Sequence, residues 1–158
     1  MHTHSFVEVA VITAGTGTHL SLAGRDTVRV GDVVFLRPGV WHGYDCHNLE
    51  LYNCGLNPEL LYRELVWAHE DPVLGYLLWT APLSTRRRGL LTTHLDQPEL
   101  QDILEHTCNR SRICGAGRFA CTGDVIARLT LVLGHIARAV AADRNGCGHR
   151  TDRPSGGQ

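Results

Sequence analysis

The chain has 158 residues, 43% of them hydrophobic, and a formal net charge of −1. That length fits one domain with a real core, and that composition excludes wholesale disorder. The near-neutral balance gives no bias toward nucleic acid or membrane as partner. "MHTHS" has neither a basic nor an apolar leader segment, so no signal peptide is read and a cytoplasmic location is expected. No run of about eighteen uncharged apolar residues is present to span a membrane.

The first third reads as short strands. "SFVEVAVIT" (5–13) is rich in β-branched residues, "GTG" (15–17) turns the chain, and "THLSLA" (18–23) alternates. "GRD" (24–26) is a second turn, followed by "TVRV" (27–30), a "GD" turn and "VVFL" (33–36). "RPG" (37–39) punctuates again before "VWHGY", and "LELYNCGL" (49–56) is one more strand. Strands at such regular spacing imply a sandwich or a barrel.

From "NPELLYRELVWA" onward the period becomes helical. Asn57 is a candidate N-cap with Pro58 at the first helical position. In "LDQPEL" (95–100), Asp96 and Glu99 have capping-box spacing and Leu95 can staple against Leu100. That helix is expected to run to about Cys108 and to bury Leu100, Ile103 and Leu104. Residues 109–123 read as a loop with room for a helical part. Helix 124–143 carries Val125, Ile126, Leu129, Val132, Leu133, Ile136 and Val140 on one face. The stripe is wider than one barrel edge is expected to cover. Ile126, Leu129, Leu133 and Ile136 are therefore candidate dimer-interface residues. The fold class is thus mainly β with C-terminal helices. Residues 1–62 are the barrel core, 63–143 the helical and remaining barrel-associated part, and 144–158 a disordered tail.

Six cysteines, at 46, 54, 108, 114, 121 and 147, show neither a C-x-x-C pair nor zinc-ribbon spacing. They read as small buried hydrophobes. The histidines read differently. Alternation along a strand points residues 2, 4, 6 and 8 to one face, so His2, His4 and Glu8 converge with Phe6 between them. Two imidazoles and a carboxylate on a half-buried face are costly unless something binds them. A divalent metal such as zinc or nickel does so, and His42 is a fourth candidate ligand. Without a metal the same histidines would line a polar pocket, bonded to one another and to water. Tyr44 and Cys46 share the face of His42 and are candidate ligand-binding residues with Phe6.

His2, His4, Glu8 and Gly15 form H-x-H-x3-E-x6-G, which resembles the first cupin motif; "GDVVFLRPGVWH" resembles the second. The resemblance implies a small double-stranded β-helix, or jelly-roll barrel, in which the three histidines and the glutamate hold one metal. This chain departs from the family at Arg37, where many cupins have proline, and at Cys46, where many have asparagine. Residues 31–61 are similar to the sensor domains of AraC-type transcription regulators, in particular the rhamnose-activator branch. That resemblance implies a barrel that binds a small-molecule effector, a homodimer formed through C-terminal helices, and a DNA-binding module of two helix-turn-helix units. The module is not read in these residues, so DNA contact is expected only through a part missing from this chain. "TRRRG" (85–89), the one local basic cluster, reads as a solvated face. The rival class is a small metal-dependent cupin enzyme, a dioxygenase or an isomerase. It lacks a second acid/base cluster, since Glu8 is the one acidic residue at a confidently inward position. No catalytic residue is assigned.

Overall fold

The computed structural model describes residues 1–80, 89–115 and 122–146. Seven strands form two antiparallel sheets: β1 (Val7–Ala14), β2 (Thr16–Ser21), β3 (Gly24–Arg29), β4 (Asp32–Leu36), β5 (His42–Asp45), β6 (Glu50–Leu56) and β7 (Leu90–His94). One sheet has the order β6-β1-β4-β7 and the other β3-β2-β5. Helix α1 (Pro58–Glu64) leads through a 3₁₀ turn (Val66–His69) and a short π-helical stretch (Tyr76–Thr80) to β7. Helices α2 (Gln97–Gly115) and α3 (Thr122–Gly146) follow.

Strand β1 is buried on both faces. Val7, Val9 and Val11 face outward into a core shared with Leu100 and Ile103 of α2 and with Leu133 and Ile136 of α3. Ala10 and Ile12 face inward, into a second core with Val28, Val34, Leu36 and Leu90. A strand covered on both sides reads as a continuous apolar run, which is what "VEVAVI" is apart from Glu8. β4 is used the same way, sending Val33 and Phe35 to the helices and Val34 and Leu36 to the barrel interior.

The turns explain several departures from expectation. The second hairpin turns at Leu22–Ala23 rather than at Gly24–Asp26, because Ser21 pairs with Gly24 and β3 starts there. Gly15 has φ +75°, and a Cβ there would lie 2.0 Å from the backbone oxygen of Asn48. Only glycine fits that crossing. β7 was not singled out from the sequence. It is five residues long and pairs with β4 at a separation of more than fifty positions, from Asp32↔His94 to Leu36↔Leu90.

The helices start as expected and end later. Asn57 caps α1 through its side-chain oxygen, which accepts from the Glu59 amide. The capping box at α2 is formed: the Glu99 amide donates to Asp96 Oδ1 at 2.9 Å, and the Asp96 amide donates to Glu99 Oε2 at 3.0 Å. Leu95, Leu100 and Ile103 are buried, and Leu104 is partly buried. Helix α2 continues past Cys108 to Gly115, so residues 109–115 are the helical part of the segment read mainly as loop. Residues 85–88 of the basic cluster and the tail from 147 onward lie outside the described residues. Of the cysteines with a described side-chain environment, Cys46 is exposed and Cys54 half-buried, so neither is a fully buried hydrophobe.

Helix α3 corrects the expected free stripe. Leu133 and Ile136 are 2% and 0% exposed, sealed against the chain's own barrel with Ala137 and Val140, so they cannot form an open interface. Ile126 and Leu129 are partly buried on the same core. Among the described residues, the large apolar side chains that α3 leaves exposed are Val125 and Leu131. Thr93 of β7 donates to Asp143 Oδ2 at 2.5 Å, tying the far end of α3 to the sheet. By length and composition α3 could cross a membrane, but its apolar face is occupied by the barrel. Ile136→Ala should cost about 3 kcal/mol, as truncation of a fully buried aliphatic side chain does. Urea unfolding would show it as a lower midpoint at unchanged slope. A wild-type midpoint would contradict this packing.

Candidate functional site

The site sits where the chain's first residues meet β5. His2 and His42 exchange backbone hydrogen bonds, His2 N to His42 O at 3.0 Å and His42 N to His2 O at 3.1 Å. The Gly39 amide donates to His4 O at 2.8 Å. Residues 1–4 thus lie along the β5 side of the barrel, and the chain bends at Ser5–Phe6 before β1 joins the other sheet. The expected strand 5–13 therefore begins at Val7, yet the bend keeps His2, His4 and Glu8 together. Gly43 makes room for the arm, since a Cβ there would come within 3.0 Å of Met1 Cγ.

Each of His2, His4, Glu8 and His42 offers one ligand atom, and the four atoms lie within 4.8 Å of one another. Glu8 is 1% exposed and His42 1%, whereas His2 is exposed at the mouth. The carboxylate has its two oxygens divided. Oε1 accepts from Asn53 Nδ2 at 2.7 Å, and Oε2 faces His4 Nε2 at 2.7 Å and His42 Nε2 at 3.2 Å. Neither approach has the alignment of a hydrogen bond, for His4 Nε2, Glu8 Oε2 and both nitrogens of His42 are buried without such a partner among the described residues. Each such atom costs about 1–3 kcal/mol when left unsatisfied. Lone pairs that converge on one point without bonding one another suit a cation there. Asn53 orients the Glu8 carboxylate from outside, as the outer partner of a metal-binding carboxylate would.

Phe6 stacks on the His4 ring at 4.4 Å between centroids with 26° between planes. Its ring lies over Gly55, where a Cβ would come within 3.0 Å of it. It walls the site and holds His4. Tyr44 is half-buried with its hydroxyl fully enclosed. Cys46 is exposed and lies beyond the end of β5, so the alternation that placed it beside His42 does not reach it.

Sequence reasoning missed His19. It is 0% exposed, paired in register with Tyr44 across β2–β5, and neither ring nitrogen has a partner among the described residues. "THLSLA" hides it, because Leu20 and Leu22 look like the inward set. In the barrel Leu22 is exposed at the hairpin turn and His19 faces in. The alternation was the available signal, but its apolar residues mark the opposite parity from the one that faces in. Burial lowers the His19 pKa from its ordinary value, as does the neighbouring His42, against weaker opposing pulls from Asp26 and Glu8. Burial likewise lowers His42, outweighing the attraction of Glu8. Burial raises the Tyr44 phenol, with Glu8 adding to the effect. All three are held uncharged at neutral pH, the state in which imidazoles ligate metals.

Comparison with known proteins agrees with this fold. The AraC-like ligand binding domain matches residues 1–132. Two relatives are the HTH-type transcriptional activator RhaR of Yersinia pseudotuberculosis serotype O:1b (strain IP 31758) and that of Yersinia pestis bv. Antiqua (strain Angola). Each is 26% identical over 133 residues, which is 84% of this chain and 43% of the relative. The chain spans less than half the length of these relatives. The matched region takes in both sheets, the four converging residues His2, His4, Glu8 and His42, and the start of α3, and the chain belongs to the AraC-like ligand binding domain family.

Proposed function

We propose that this chain is the effector-sensing part of an AraC-type transcription regulator, with a divalent metal, zinc or nickel, held in its barrel by His2, His4, Glu8 and His42. The observation that carries the metal is the convergence of unbonded buried donor atoms on one point, with Glu8 anchored by Asn53. A bound ion would supply a Lewis-acidic position for an oxygen of the effector. The chain's own residues do the rest: Asn53 fixes the carboxylate, Phe6 holds the His4 ring, and the His2–His42 backbone pair holds the arm. The similarity to transcriptional activators supports a sensor over a dioxygenase or isomerase. In the whole protein, DNA contact would fall to a separate module, and such a regulator acts in the cytoplasm. We also propose a homodimer through the outer surface of α3, where Val125 and Leu131 are 41% and 47% exposed.

Purified protein should carry close to one equivalent of zinc or nickel by elemental analysis. His4→Ala and His42→Ala should each lower it, and metal should be released below about pH 6 as the imidazoles protonate. Unchanged content in both variants would sink the metal reading.

Metal-free protein should lose stability as the pH falls below 6.5, the ordinary imidazole value. Buried neutral His19 and His42 bind fewer protons than the unfolded chain there, so protonation favours unfolding. The urea midpoint should drop across that window, and His19→Gln should flatten part of the drop. A midpoint that holds or rises would contradict the assigned burial.

Sedimentation at high micromolar concentration should give a dimer, and Val125→Glu with Leu131→Glu a folded monomer. Those positions are chosen because glutamate at Leu133 would disrupt the core itself. A wild-type monomer would defeat the dimer.

A further inference from the structure

A metal accounts for only part of the unbonded polar surface inside the barrel. Among the described residues, seven buried side-chain nitrogen and oxygen atoms have no hydrogen-bond partner. An ion at the four-residue site would engage His4 Nε2, Glu8 Oε2 and one nitrogen of His42. Both nitrogens of His19, the Tyr44 hydroxyl and the second His42 nitrogen are left over. These remaining groups are neighbours. His19 sits opposite Tyr44 in the β2–β5 register, with ring centroids 5.1 Å apart, and its ring lies 5.7 Å from that of His42. Residues facing one another across an antiparallel pair project from the same side of the sheet.

The chemistry of the leftover groups selects what they can bind. A neutral imidazole offers one donor and one acceptor, and a phenol offers both. A hydroxyl group matches that pair, because it too donates and accepts. A carboxylate does not match: it would approach Glu8, while Arg25, Arg29 and Arg37 are all exposed. A ligand cation would compete with the metal for that same Glu8.

Resting on the metal reading above, we propose that His19 and Tyr44 bind a hydroxyl of an uncharged effector whose oxygen on the adjacent carbon coordinates the metal. The effector class is small neutral molecules carrying oxygens on neighbouring carbons. His19 and Tyr44 are the specificity-determining pair, and they reject analogues that lack the hydroxyl, since a site built to bond that group is left with it unpaired.

The test uses metal-loaded protein, with metal content measured in every sample, and hydroxyacetone as probe. Acetone lacks the hydroxyl and glycolate carries a charge. Calorimetric titration should show hydroxyacetone binding at least about tenfold more tightly than either control. Nitrogen NMR should show the His19 ring shifting with hydroxyacetone alone. Tyr44→Phe and His19→Phe should each weaken hydroxyacetone by about tenfold while leaving metal content and acetone binding unchanged. His19→Gln, which keeps a donor and an acceptor, should restore part of the loss. Metal-loaded protein that does not bind hydroxyacetone, or binds it no better than acetone, would overturn this proposal and leave the metal reading intact. Equal binding by wild type and both phenylalanine variants would overturn it too, and would assign the leftover atoms to ordered water. Protein that takes up no metal would defeat the metal reading and this proposal together.

Discussion

One strand has to satisfy two cores at once. β1 sends Val7, Val9 and Val11 to the helices and Glu8, Ala10 and Ile12 to the barrel interior, and the two sets cannot exchange without reversing every side chain. Its register against β4 and β6 is therefore fixed by burial on both sides. Glu8 inherits that register: it is a carboxylate at an apolar strand's inward position because its neighbours leave it nowhere else to point. The rest of the site is arranged around the position so defined. His42 comes from the start of β5, His4 from the bend before β1, and Asn53 from the edge strand β6.

The polar groups inside the barrel follow a gradient from mouth to interior. His2 is exposed, His4 partly so, and Glu8, His42 and His19 are sealed. A core of aliphatic side chains lies beyond them. Burial without bonding is costly for each sealed group, and natural interiors keep such groups few. Five residues contribute such atoms in one place, and on that cluster the proposed metal and effector contacts rest.

Much of this was legible in the sequence, for identifiable reasons. The H-x-H-x3-E spacing survived the bend at Ser5–Phe6 because the arm still places its even residues toward Glu8. The capping box at Asp96 and Glu99 was readable because both of its bonds are local. What escaped was set by distant pairing. β7 becomes a strand by docking on β4, and no local pattern announces that. His19 faces inward because the hairpin turns at Leu22–Ala23, which shifts the parity of β2 against its apolar residues. The α3 stripe was visible, but its width reflected two helices and a sheet closing over it, which composition cannot reveal.

The arm has a consequence for how the domain opens. Three backbone hydrogen bonds from His2 and His4 hold residues 1–4, whereas β1 is paired with β6 from Val7 to Ala14 and with β4 from Glu8 to Val11, and is buried on both faces. Segments with few buried contacts open at low free energy while the core stays closed. Opening of the arm would therefore leave β1, β4 and β6 in register and both helices docked. It would take His2 and His4 away from Glu8 and His42 without unfolding the barrel, so the completeness of the site is governed by a local equilibrium and not by the stability of the whole domain.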